Sequence, residues 1–289
     1  MGEATTTPRT AGDATSDPVR PAAAPASFLT LSEPVRSVWD FGRLAFSLPL
    51  LWNEAPGDGH PVIVLPGFLL DDQSTWWLRT YLTSLGYRVY GFCLGQNLGA
   101  RTVGHCGARL TEMIERLVGR EPVSLIGHSL GGVLARDYAR QHPERVRRVI
   151  TLGSPYAGDE RSMPGPIVQL RRYLAREALR KAPDHSPLPV PHTIIYSQGD
   201  GVVAAFDCRH PHANADNIEV PGSHIGLVVN PAVFQVVADR LRAPPERAPS
   251  TGRGPGAEHG AAPQQLQKNT SLERTPGEAS HAQDQMTGD

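Results

Sequence analysis

The chain has 289 residues, 28 basic and 29 acidic side chains and a formal net charge of -1, so it has no global positive field and its composition argues against a nucleic-acid partner. Its length allows one large domain or two small ones, and because both ends look unable to contribute to a core, one domain is expected. Cys93, Cys106 and Cys208 form no CxxC pair, and their odd number argues against a complete disulfide framework, so reduced, buried thiols are expected.

Residues 1–27 and those from about 243 to 289 are dominated by Pro, Gly, Ala, Ser, Thr, Gln and charged residues. Such segments cannot bury enough apolar surface to offset their ordering entropy, and both are expected to be disordered tails around a domain over 28–242. The first tail lacks the basic and apolar regions of a secretory signal. Phe41–Trp52, the most apolar early stretch, is interrupted by Arg43 and Pro49 and falls short of the roughly 20 residues that span a bilayer. A soluble, cytoplasmic protein without a transmembrane segment is the expectation.

Glu33 to Leu51 predicts a short helix packed outside the sheet, followed by the turn Ala55-Pro56-Gly57-Asp58-Gly59. Val62 to Leu65 is an apolar run between Pro61 and Pro66, as in a strand buried on both faces. Asp72 or Ser74 can cap a helix with Leu78, Leu82 and Leu85 on one side, stopped by Gly86. Tyr87 to Phe92 reads as a strand, and Leu110, Ile114 and Leu117 mark a helix ending at Gly119. Val123 to Gly127 is the next strand. A helix with Val133, Leu134 and Tyr138 then runs to about Gln141, and Val146 to Leu152 is again a strand.

Residues 156–191 break this rhythm with a Pro/Gly-rich start, a basic amphipathic helix around Ile167 to Lys181 and a Pro-rich exit, as expected of a helical cap inserted over a site. His192 to Ser197 and Asn217 to Val220 resume the strands. Asn230 to Leu241 closes with a helix whose Val233, Val236 and Val237 can face the sheet. Six strands alternating with helices predict an α/β fold with a doubly wound, mainly parallel sheet.

Between the third strand and its helix lies Gly127-His128-Ser129-Leu130-Gly131-Gly132, a sharp turn with a serine at its tip. Gly127 and Gly131 lack the Cβ atoms that would block the approach of strand and helix. The pattern resembles the nucleophile elbow of the α/β-hydrolase family, here a compact, lipase- or esterase-like serine hydrolase without an N-terminal antiparallel strand pair. That resemblance implies that Ser129 is a nucleophile. A serine hydroxyl needs a base within hydrogen-bond reach, and His224, in the loop after the last strand, matches the family's C-terminal histidine in order and placement.

The imidazole in turn needs a carboxylate on its far nitrogen. Asp200, in Ser197-Gln198-Gly199-Asp200-Gly201-Val202-Val203 after a strand, resembles the family's acid, with Asp207 and Asp216 as rivals. The family also implies two backbone amides for the oxyanion: Leu130, after the nucleophile, and a residue of the loop Leu65-Pro66-Gly67-Phe68. Many members have His-Gly where this chain has Pro66-Gly67. Proline has no N–H, so the second donor is assigned to Phe68, and a side chain that often supports the loop is missing. His128 is expected to pack beside the site rather than act as its base.

Bland readings suffice for the remaining candidates. Asp71 and Asp72 are read as helix caps rather than metal ligands, and Asn97 as a turn or pocket residue. Cys208, His210 and His212 alternate as metal ligands can, but zinc sites usually need four converging ligands and no second cluster lies nearby in sequence. Arg171, Arg172, Arg176, Arg180 and Lys181 read as a solvated helix face, leaving peripheral membrane contact open. The resemblance therefore implies a cofactor-independent enzyme with a small-molecule or lipid ester as substrate. An acyltransferase with the same triad, or a non-catalytic binding protein on the same fold, are the alternatives.

Overall fold

The computed structural model describes residues 25, 27–51, 54–156, 186–210 and 215–244. An N-terminal helix, α1 (Ser27–Leu51), precedes the sheet. It is far longer than the short helix expected within Glu33–Leu51. Next come β1 (Pro61–Leu65), a 3-10 turn at Asp72–Thr75, α2 (Trp76–Ser84) and β2 (Arg88–Tyr90). After two short turns of helix, α3 (Ala100–Val103) and the 3-10 segment His105–Gly107, the chain forms α4 (Ala108–Val118), β3 (Val123–His128), α5 (Leu130–Gln141) and β4 (Val146–Leu152). The later elements are β5 (His192–Tyr196), α6 (Ala205–Cys208), β6 (Ala215–Glu219) and α7 (Pro231–Arg242).

All six strands are parallel, in the order β2-β1-β3-β4-β5-β6. The central strands are buried on both faces, which is why they read as continuous apolar runs. Alternate residues feed two cores: Val62 and Val64 face α2 and α7 with Leu78, Leu82, Val233, Phe234 and Val237, while Ile63 and Leu65 face α4 and α5 with Leu110, Met113, Ile114 and Tyr138. Helices on both faces make the sheet doubly wound, as expected. Leaving β1, the chain builds β2 on one side and then crosses to β3 on the other. The ends of β1 and β3, paired through Leu65 and Gly127, therefore flank a topological switch point, where open α/β sheets place their sites.

The edges depart most from expectation. Only Arg88–Tyr90 of the expected Tyr87–Phe92 pairs with β1, because Asp72 takes the Phe92 and Cys93 amides at 2.5 and 2.9 Å and ends the ladder. Neither Asp72 nor Ser74 caps α2, whose N-cap Thr75 makes no side-chain capping bond; Asp71 caps the preceding 3-10 turn, accepting from the Gln73 amide at 2.9 Å. Cys208 is buried as expected, but Cys93 and Cys106 are exposed free thiols in tight turns with φ of 52° and 50°. The expected cap falls mainly on 157–185, outside the described residues. Its two described ends meet, Tyr156 Oη donating to the Ser186 carbonyl at 2.9 Å and Arg140 to the same oxygen at 2.7 Å. The basic helix face at 171–181 likewise lies outside the described residues, as does His212 of the Cys208–His212 run. His210 packs its ring on Tyr156 at 3.8 Å.

Helix α1 is inverted in its polarity. Glu33 and Asp40 are buried on its inner side beside Leu44, whereas Phe28, Leu31, Val35, Val38, Trp39 and Phe46 are exposed. No helix among the described residues is long and apolar enough to cross a membrane.

Candidate active site

Ser129 lies between β3 and α5 with φ 52° and ψ −118°, a conformation that a non-glycine residue adopts only when its surroundings enforce it. Its amide donates to the Leu152 carbonyl at the end of β4 at 2.9 Å, which ties the elbow to the neighbouring strand. Close approach of α5 to the sheet permits no side chains at the turn. A Cβ on Gly131 would lie within contact distance of the Leu65 carbonyl oxygen and 2.7 Å from that of Pro66. Gly131→Ala should therefore push the Leu65–Phe68 loop aside and cost about 2–3 kcal/mol of stability, read as a lowered denaturation midpoint.

The residue after Leu152 brings in the rest of the site. A Cβ on Gly153 would stand 2.9 Å from Asp200 Oδ2 and 3.1 Å from His224 Nδ1. These two atoms are themselves 2.6 Å apart, in a buried pair with Asp200 2% and His224 5% exposed. The other Asp200 oxygen accepts the Val202 and Val203 amides at 2.8 and 2.7 Å, so the carboxylate is fixed before it meets the ring. The rival carboxylates are elsewhere: Asp216 pairs with Arg240 at 2.7 Å, and Asp207 lies on α6, its carbonyl accepting the Tyr156 amide. With Nδ1 committed to Asp200, Nε2 is the His224 nitrogen left for proton transfer.

Burial opposes the charged form of His224, but the charge and hydrogen bond of Asp200, with a further contribution from Glu33, outweigh it and raise its pKa above 6.5. His128 behaves oppositely. Burial and the neighbouring His224 depress its pKa to about 3, so the ring is neutral. Its Nε2 donates to the His224 carbonyl at 3.0 Å, and the two rings lie 4.8 Å apart. His128 thus sits beside the site, as expected, and holds the backbone of the other histidine.

Among the described residues, neither the Phe68 nor the Leu130 amide donates a hydrogen bond, although the Leu69 and Ser129 amides beside them do. Two unpaired N–H groups at the ends of β1 and β3, one of them at the positive end of α5, suit a developing oxyanion. The loop support that a family histidine would give comes from Asn97. It is fully buried, donates through Nδ2 to the Pro66 carbonyl at 2.7 Å and accepts the Gly99 amide at 3.0 Å. Leu69 and Asn97 also pair through the backbone at 2.9 Å. A Gly-x-Asn-x-Gly turn gives no sequence signal for this partner, which lies 31 residues from Pro66.

Arg136 also escaped sequence reasoning, since α5 reads as amphipathic without it. It is 2% exposed and donates to the Pro155 and Tyr156 carbonyls at 2.5 and 3.2 Å, anchoring the start of the segment after β4. Burial lowers its pKa to about 10, which leaves it charged at neutral pH.

Residues 60–182 match the sequence model of the family described as alpha/beta hydrolase fold. Homoserine O-acetyltransferases from two strains of Thermus thermophilus are each 29% identical over 115 residues, covering 39% of this chain and 27% of theirs. The match thus spans about a quarter of the length of these curated relatives. Among solved structures, a probable hydrolytic enzyme from Pseudomonas aeruginosa superposes with a TM-score of 0.51 at 16% identity, over 65% of this chain and 88% of that one. An alpha/beta hydrolase from a sediment metagenome of the lagoon of Mar Chica, Morocco, gives 0.48 at 25% identity, over 64% and 91%.

Proposed function

Since this chain is an α/β-hydrolase-fold protein, we propose that it is a serine hydrolase of the lipase or esterase type, cleaving a carboxylic ester through an acyl-enzyme on Ser129. The observation that carries this reading is the buried Asp200–His224 hydrogen bond, together with the strained Ser129 turn whose preceding residue, His128, packs on His224. Ser129 Oγ attacks the ester carbonyl as His224 Nε2 takes its proton, and Asp200 holds the imidazolium that results. The carbonyl oxygen becomes an oxyanion facing the Phe68 and Leu130 amides. Collapse of the tetrahedral intermediate expels the alcohol, which receives the proton from His224. Water then repeats the sequence on the acyl-enzyme and releases the acid.

A second reading keeps the acyl-enzyme and replaces water by an alcohol, amine or thiol acceptor. The partial similarity to homoserine O-acetyltransferases supports it. Both readings are tested by treating the purified chain with a fluorophosphonate and mapping the labelled peptide. Label on Ser129 supports the acyl-enzyme; no label returns the chain to a binding protein on the same fold. Product analysis on short p-nitrophenyl esters, with and without an alcohol acceptor, then separates hydrolysis from transfer.

The base must be neutral to accept a proton, and the His224 pKa is raised. The rate kcat/KM is therefore expected to climb with pH through a limb centred above 6.5 and to fall as His224 is protonated. His128, neutral from about pH 3 upwards, should add no limb to that profile. A limb centred below 6.5 in a pH–rate titration would contradict the assignment of His224 as base.

A further inference from the structure

We propose that Glu33 of α1 is a positioning residue of the site, holding the His224 and Asp200 loops at the same time through one carboxylate oxygen. Its Oε1 accepts the His224 amide at 2.9 Å and the Gly201 amide, next to Asp200, at 2.7 Å. The inference rests on the triad reading above and extends it to a part of the chain, before the first strand, that the nucleophile elbow does not involve.

The surroundings make this grip specific. Glu33 is 4% exposed, and Arg36 also donates to Oε1, at 3.0 Å. Arg36 reaches the Gly199 carbonyl as well, and Thr30 donates to that of Gly201 at 2.7 Å, so α1 holds the acid loop on both sides of Asp200. On the base loop, Asp40 accepts the Ser223 amide at 2.9 Å and its hydroxyl at 2.7 Å. The backbone of His224 is thereby held on both sides of its Cα: Glu33 takes its N–H, and His128 gives a hydrogen bond to its carbonyl. An imidazole that must hold its direction while gaining and losing a proton benefits from a backbone that cannot rotate. The groups facing the His224 ring and backbone are Asp200 from its loop, His128 from the elbow and Glu33 from α1. Of these, the two carboxylates favour the imidazolium.

All the donors use Oε1, while Oε2 has no partner among the described residues. Glutamine can place its carbonyl oxygen where Oε1 stands and its NH2 where Oε2 stands. Glu33→Gln therefore keeps the acceptor and removes the charge, whereas Glu33→Ala removes both. Fluorophosphonate labelling of the wild-type chain comes first: if it fails, the triad reading falls and this inference with it. With labelling established, Glu33→Ala is expected to lower kcat on a short p-nitrophenyl ester about 10- to 100-fold with KM within about twofold, at a fold content matching wild type by circular dichroism. Glu33→Gln should recover most of that loss and move the lower limb of the pH–rate profile to lower pH, which a helix that merely docks would not do. Wild-type kcat in Glu33→Ala, or a loss confined to KM, overturns the proposal while leaving the triad intact. Should Glu33→Ala fail to fold, Glu33→Met, which keeps the volume but lacks the acceptor, decides: a lowered kcat that Glu33→Gln does not share supports the positioning role, and wild-type kcat overturns it.

Discussion

Replacing Ser129 by alanine is expected to abolish labelling by a fluorophosphonate and to lower kcat on p-nitrophenyl esters about 10⁶-fold, the scale at which loss of a nucleophile leaves only binding and oxyanion stabilisation. The change removes one oxygen from a side chain whose backbone geometry is set by Gly127, Gly131 and the Leu152 hydrogen bond, so the denaturation midpoint should hold or rise slightly. Because the Phe68 and Leu130 amides stay in place, the variant should still bind ester substrate. Undiminished labelling of Ser129→Ala would show that another nucleophile reacts and would remove the reading of this turn as the catalytic centre.

Asp200→Asn should cost about 10⁴-fold in kcat, less than loss of the nucleophile, for a reason fixed by the two sides of the carboxylate. Oδ1 accepts two amides, from Val202 and Val203, a role that only the oxygen of an asparagine can take. The asparagine NH2 is thereby forced into the place of Oδ2, against His224 Nδ1. A donor there makes Nδ1 the acceptor and puts the ring proton on Nε2, where it can no longer take one from Ser129. Loss of the Asp200 charge also removes the main contribution that raises the His224 pKa, so the residual activity should show its lower limb at reduced pH. Labelling of this variant at the wild-type rate, in a chain that melts normally, would mean that His224 does not depend on Asp200.

The first of these predictions rests on a residue legible in the sequence because its signal is local. The elbow is a contiguous pattern in which each glycine answers a nearby backbone atom, Gly131 against Leu65 and Pro66, Gly127 against Gly131 itself. The central strands β1 and β3 are equally legible, since burial on both faces demands unbroken apolar runs. Edges were less so. β2 keeps three residues because a carboxylate from another loop, Asp72, captures the amides that would have extended it, and no periodicity records such a tertiary competitor.

Helix α1 is where the pattern misleads. Apolar residues on one side and Glu33, Ser37 and Asp40 on the other would place the apolar side inward by the usual rule, yet the polar side faces the protein, because the Gly201, Ser223 and His224 amides wait there unpaired. Burying a carboxylate is acceptable only where such donors meet it.

By itself, then, the sequence determined the alternation of strands and helices and the turn that carries Ser129, since each is written in neighbouring residues. Only the tertiary structure decided that Asp200, not Asp207 or Asp216, meets His224, that Asn97 supports the Pro66 carbonyl, and that Glu33 joins two loops 168 and 191 residues away. Hydrogen bonds to backbone amides leave no trace in residue type at the donor. Such partners become visible only when folding brings a buried acceptor against them.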